Sequence, residues 1–112
     1  MTRQKPKPPS HLTASTRRWW SQIVADYDLE SHHLRLLQAA CESWDRMQSA
    51  RETIAAEGAF YRNSSDEPRP HPALAVERDS RIAFARMIRE LGLNATPDPD
   101  PRPRAISGRY AA

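Results

Sequence analysis

The stretch that decides the fold is SHHLRLLQAACESWDRMQSARETIAAE, residues 31–57, closed by Gly58. Leu34, Leu37, Ala40, Cys41, Trp44, Met47, Ile54 and Ala55 recur at a spacing that gathers them on one side of a helix. The opposite side collects Arg35, Glu42, Asp45, Arg46, Ser49 and Glu52. Pairs such as Glu42 and Arg46 stand four apart and add small helical support. Gly58 suits the end of the helix because a glycine takes the left-handed C′ position at no steric cost. About seven turns is long for a chain of 112 residues, and Gln48 and Arg51 interrupt the apolar stripe. The pattern predicts a helix that packs on more than one partner.

Working toward the amino terminus, Leu12-Thr13 reads as a helix start. Thr13 is placed to accept from a free amide of the first turn, and Leu12 stands where a hydrophobic staple packs. Trp19, Trp20, Ile23, Val24 and Tyr27 then cover one broad side, away from most of Arg17, Arg18, Gln22 and Asp26. Working toward the carboxyl terminus, Ala59 to Pro70 carries Phe60 and Tyr61 and then Asn-Ser-Ser-Asp-Glu-Pro-Arg-Pro. It reads as a turn or short extended piece followed by a mobile loop, with a small hairpin as the alternative on weak strand signal. Pro72 suits a first helical position. Val76, Ala83, Phe84, Met87, Ile88 and Leu91 make the apolar face of that third helix. Gly92 stops it, and Leu93 follows where a Schellman cap sets a hydrophobe against Ile88.

The prolines confine the fold. Of 10, seven lie near the ends: Pro6, Pro8, Pro9, Pro97, Pro99, Pro101 and Pro103. Proline lacks a donor and resists helix, so both ends read as extended or disordered. The expected fold class is all-α: a short first helix, a long second helix and a third helix after a mobile loop. The expected organisation is a disordered basic arm (1–11), a helical domain (12–94), and a proline-rich flexible tail (95–112). A domain of this size buries only roughly 60–65% of its unfolded surface, a thin core that often gains from partner subunits.

No catalytic constellation emerges. There is no glycine-rich phosphate loop and no nucleophile elbow. His11, His32, His33 and His71 lack the four-residue helical spacing of paired metal ligands. The lone Cys41 falls on the apolar stripe and reads as a small core residue, ahead of a His33–Cys41 metal site. His32 and His33, near a helix start, read as solvated. Asp26, Asp28 and Glu30 form an acidic corner whose proximity to a helix amino terminus suits the dipole better than it argues a cation site. No metal and no cofactor are expected. With one cysteine, no secretory signal and no apolar run near ~18 residues, the chain reads as intracellular and without a membrane partner.

The basic residues are the best functional lead. Net charge is only +3, but Arg3, Lys5, Lys7, Arg17 and Arg18 precede every acid of the chain. Such an arm binds phosphates by counterion release without reading sequence. A solubilising tail is the bland alternative. Arg78, Arg81, Arg86 and Arg89 make a second patch, bordered by Glu77, Asp79 and Glu90; an ordinary solvated face is its alternative. Trp19, Trp20, Leu37, Trp44, Met47, Ile54, Phe84 and Met87 are candidate oligomer-interface residues, since tryptophans at helical spacing read as packing ahead of base stacking.

The motifs, taken in order, resemble the phage terminase small subunit family. Pro8-Pro9-Ser10-His11-Leu12-Thr13, with Trp20 eight residues after Leu12, resembles its proline-rich basic arm, its cap and its Trp-bearing first helix. The long helix ending at Gly58, His71-Pro72-Ala73-Leu74, and Glu90-Leu91-Gly92-Leu93 continue the match from about Pro8 to Leu93. The chain departs from the pattern after Leu93. Asn94-Ala95 precede Thr96-Pro97, and Asp-Pro repeats stand where the family has a Ser-Arg pair. The resemblance implies a non-catalytic packaging factor of the host cytoplasm. Such a factor forms a homo-oligomeric ring, recognises double-stranded viral DNA and delivers it to the terminase large subunit, which carries the ATPase and nuclease. Two other readings compete: a helix-turn-helix DNA-binding regulator, and a helical protein–protein adaptor with no DNA role.

Overall fold

The computed structural model describes residues 5–93. Arg3 and the expected tail at 95–112 lie outside them. The element order is α1 (Ala14–Asp26), α2 (Ser31–Glu57), β1 (Phe60–Arg62), β2 (Pro68–Pro70) and α3 (Pro72–Leu91). The three helices lie where the apolar periodicity puts them. The expected mobile loop is instead an antiparallel hairpin, with Phe60 opposite Pro70 and Arg62 opposite Pro68, so the all-α reading becomes mainly helical with a two-stranded sheet. Asn63 builds the turn: its side-chain oxygen accepts from the amides of Ser65 and Glu67, both at 2.9 Å. Both strands are exposed throughout. With neither face buried, they carry no alternation of apolar and polar residues for a sequence reading to find.

The helix ends show how local chemistry sets the boundaries. Thr13 caps α1 as expected, and Leu12 beside it is buried. At the end of α3 the Leu93 amide donates to the Ile88 carbonyl and the Gly92 amide to the Arg89 carbonyl, with Gly92 left-handed at φ 76°, ψ 12°. This is the expected Schellman pattern. Gly58 differs from expectation. Its φ of 89° is positive, but its ψ of 160° places it in the extended mirror region that only glycine occupies comfortably, so it turns the chain into β1 rather than coiling it into a left-handed cap. His71 joins the hairpin to α3. Its Nδ1 accepts from the Ala73 amide at 3.0 Å, which places the ring proton on Nε2, 2.8 Å from Glu57.

α2 is the spine. α3 runs antiparallel along one side of it: Arg51 pairs with Glu77, Trp44 stacks near Phe84, and Leu91 packs against the cluster around Leu37. Ala40, Ser43, Met47 and Ala50 of α2 and Ala73 and Ser80 of α3 are buried. Small residues on both helices let the two backbones approach closely, which hydrophobicity alone does not specify. α1 takes a second side of α2, burying Leu12, Trp20, Ile23 and Val24 with Leu37 and Cys41. Leu37 and Cys41 have no exposed surface. Two expected core positions are corrected: Val76 is 41% exposed and Ala55 is exposed, because the α2–α3 seam runs along Ala73 and Ser80 instead.

Asp45 and Glu42, expected on the solvated side of α2, face α1. The Asp45 carboxylate accepts from the Thr13 amide at 2.9 Å, the Thr13 hydroxyl at 3.0 Å and the Thr16 hydroxyl at 2.6 Å. It stands at the amino terminus of α1, where unpaired amides and the helix dipole favour negative charge. Thr16 is buried, so its hydroxyl depends on this acceptor. Replacing Asp45 by Asn keeps the shape and removes the charge. Asp45→Asn is expected to lower unfolding free energy by about 2 kcal/mol in urea titration, while α2 and α3 keep their helical signal in circular dichroism.

Candidate nucleic-acid and assembly surfaces

The four arginines of α3 lie on its side turned from α2, as the helical spacing predicts. They are not equivalent. Arg78 sits 3.2 Å from Asp79, and Arg81 3.4 Å from Glu77, a carboxylate already held by Arg51 at 3.1 Å. Arg86 and Arg89 are exposed and have no acidic partner among the described residues. They are the α3 cations whose charge is not already neutralised nearby. Ile82, 44% exposed, lies on the same outward side.

The amino-terminal cations also divide. Arg17 spends its guanidinium on the backbone carbonyls of Ser10 and Leu12, which makes it a clamp on the root of the arm rather than a free phosphate contact. Arg18, Lys5 and Lys7 are exposed. Residues 5–11 of the arm lie beside α1 without helix or strand. Trp20 is 3% exposed, and its indole N–H donates to the Pro6 carbonyl at 3.1 Å. A buried indole N–H needs a partner, and here a proline-rich strand supplies it. Pro8 and Pro9 are half-buried, and the Leu12 amide donates to the Pro9 carbonyl.

The apolar candidates separate by burial. Trp20, Leu37 and Met47 are inside the protomer, at 3%, 0% and 2% exposure. Trp19, Trp44, Ile54, Phe84 and Met87 are half-buried. Three of these meet: Phe84 lies 6.0 Å from Trp19 and 5.1 Å from Trp44, ring centre to ring centre. With Ser15, Thr16 and Gln48 they line an open groove of about 420 Å³ between α1 and α3, floored by α2. Trp44 and Gln48 fall in the angular gap between the two sides of α2 that the neighbours cover, so no helix closes over them. Gln48 and Ser15 were not candidates because nothing in their local sequence marks them; three helices bring them together.

The remaining ionisable groups are structural. Burial, with lesser contributions from Asp45 and Glu42, pushes the Cys41 thiol up to about 12. Glu42 is held below the ordinary carboxylate range chiefly by the hydrogen bond from Gln38, against an opposing effect of burial, with help from His11 at 2.8 Å. The His33 Nδ1 accepts from the Glu30 amide at the start of α2. Among the described residues no group of three or more His, Cys, Asp or Glu is placed to hold a metal ion. No helix among them is long and apolar enough to cross a membrane.

A helical hairpin with a third helix docked across it, an open aromatic groove and cationic edges make up a mainly helical protein whose open surfaces lie between its helices. Comparison with known families makes this specific: residues 16–98 match the model for the phage terminase small subunit, and the chain belongs to that family. The match takes in Trp20, Gly58, His71-Pro72 and Glu90-Leu91-Gly92-Leu93, and begins after the Pro8–Thr13 motif. No curated protein and no solved structure matches the chain.

Two outcomes check this electrostatic picture. The buried, protonated thiol of Cys41 is expected to resist iodoacetamide at pH 8 in native protein and to react fully in denaturant. Glu42 has its folded-state pKa lowered, so its stabilising contribution is present above the ordinary pKa of 4.5 and fades as pH falls through the lower folded value. Glu42→Gln should therefore be less stable than wild type at pH 7, by less than about 1 kcal/mol. The difference should shrink below pH 4.5 in parallel denaturation curves.

Proposed function

We propose that this chain is the non-catalytic small subunit of a viral DNA-packaging terminase. It acts in the host cytoplasm as a homo-oligomeric ring that recognises double-stranded viral DNA and recruits or regulates the large ATPase and nuclease subunit. The family match over residues 16–98 carries this reading. Three physical features support it. The protomer core is thin, with Leu37 and Cys41 the largest side chains fully enclosed among the described residues. The Trp19–Trp44–Phe84 groove leaves aromatic surface half-covered, which a neighbouring subunit would bury. Exposed cations at Lys5, Lys7, Arg18, Arg86 and Arg89 supply phosphate contacts that ring symmetry multiplies into avidity. A helix-turn-helix regulator needs a helix whose side chains are free to enter the major groove. α2 is covered on two sides and cannot serve as that helix, and an adaptor gives no account of the paired cationic edges.

Light-scattering mass over a concentration series is expected to give a closed multimer well above a dimer. Binding to duplex DNA should fall steeply with added salt. Arg86→Ala with Arg89→Ala should weaken it across all sequences alike and lower the salt slope by about 2 per engaged subunit. A stable monomer that ignores duplex DNA in dilute buffer would overturn the proposal.

A further inference from the structure

The amino-terminal arm is expected to grip DNA, yet it lies docked against its own protomer. Lys5 and Pro6 share a cleft of about 730 Å³ with Val24, Tyr27, Leu29, Leu34 and the acidic pair Asp28 and Glu30. The Trp20 indole N–H fixes the strand by the Pro6 carbonyl at 3.1 Å. These are the ingredients by which proline-rich strands are recognised elsewhere: an indole donor to a carbonyl beside proline, an apolar cradle for the rings, and carboxylates for flanking cations. Prolines at positions 6, 8 and 9 stiffen the strand before it docks, so docking costs little conformational entropy.

We infer that the cleft between the end of α1 and the start of α2 is a binding site for a basic proline-rich strand, that Lys5 and Pro6 of the same chain lie against it, and that this docking competes with DNA for the arm. The inference rests on the functional reading above and adds a control to it. Two observations make competition the natural consequence. The acidic corner and DNA phosphates are rival polyanions for Lys5, and a strand lying in the cleft cannot also follow a DNA backbone. The hold is also light. Lys5, Pro6 and Lys7 remain exposed, and segments that bury little surface open at small cost. Arg17 keeps the root at Ser10 and Leu12 fixed, so release swings the arm out from a defined point.

The test follows the Trp20 indole N–H by NMR in the full chain, its signal assigned with Trp19→Phe and Trp44→Phe. In free protein it is expected to exchange slowly with water. Saturating duplex DNA at low salt should shift it and raise its exchange at least about tenfold as the arm leaves. Trp20→Phe keeps an aromatic ring and removes the donor; it should bind DNA about fivefold more tightly, the equivalent of one hydrogen bond no longer broken on binding. DNA binding with the wild-type indole signal unmoved would overturn this inference and leave the functional reading standing. No DNA binding by either protein would overturn both. The titration of unmutated protein decides the matter if Trp20→Phe folds poorly.

Discussion

A single carboxylate, Asp45, holds the amino terminus of α1 against the middle of α2. The α2–α3 pair is joined along most of its length through small residues and the hairpin connection, and it has other means of staying together. α1 has fewer. Its apolar side meets α2 in one cluster around Leu37 and Cys41, which sets how deep the helix sits but leaves its slide and rotation loosely determined. Hydrogen bonds from Thr13 and Thr16 to one carboxylate are directional, so they fix both. The position of Trp19 in the groove, of Trp20 toward the arm, and of the arm's root at Leu12 all follow from that placement.

The same arrangement explains why open surface lies at the seams. α1 and α3 occupy two sides of α2 that do not meet, and the gap exposes Trp44 with Trp19 and Phe84 beside it. A second seam, where α1 turns into α2, opens the cleft that receives Lys5 and Pro6. In each case an apolar floor is bordered by polar side chains, the pattern expected where another strand or subunit seats. The charge on α3 is uneven. Arg78 and Arg81 find carboxylates on α3 itself, at Asp79 and Glu77, and Arg86 and Arg89 are left without one among the described residues.

Much of this was legible in the residues. The bounds of α2 and α3 follow from apolar spacing and from Gly58, Pro72 and Gly92. Leu12-Thr13 marks the start of α1 for the same reason, that capping chemistry is local. Cys41 read as buried because it falls on the apolar stripe of the helical period, whereas Trp20 and Leu37, read as candidate interface residues, are buried inside the protomer instead. The hairpin was legible only as an alternative to a loop, since strands with both faces exposed have no burial pattern and one built on Pro68 and Pro70 has little propensity. Asp45 was not legible. A carboxylate on the polar side of a helix looks solvated until another helix brings unpaired amides to it.

The sequence by itself determined where helices begin and end, which side of each is apolar, that both ends are rich in proline, and which family the chain joins. Those properties rest on interactions between residues at most a turn or two apart. Only the tertiary structure decided that Asp45 serves α1, that Val76 stays outside while Ser80 is buried, that Arg17 clamps the arm and Arg86 is free, and that Trp20 reaches back to Pro6. Each of those outcomes depends on how close two separately formed elements come and at what rotation. That is set by the summed packing of small and large side chains across the seam, and no local stretch encodes it.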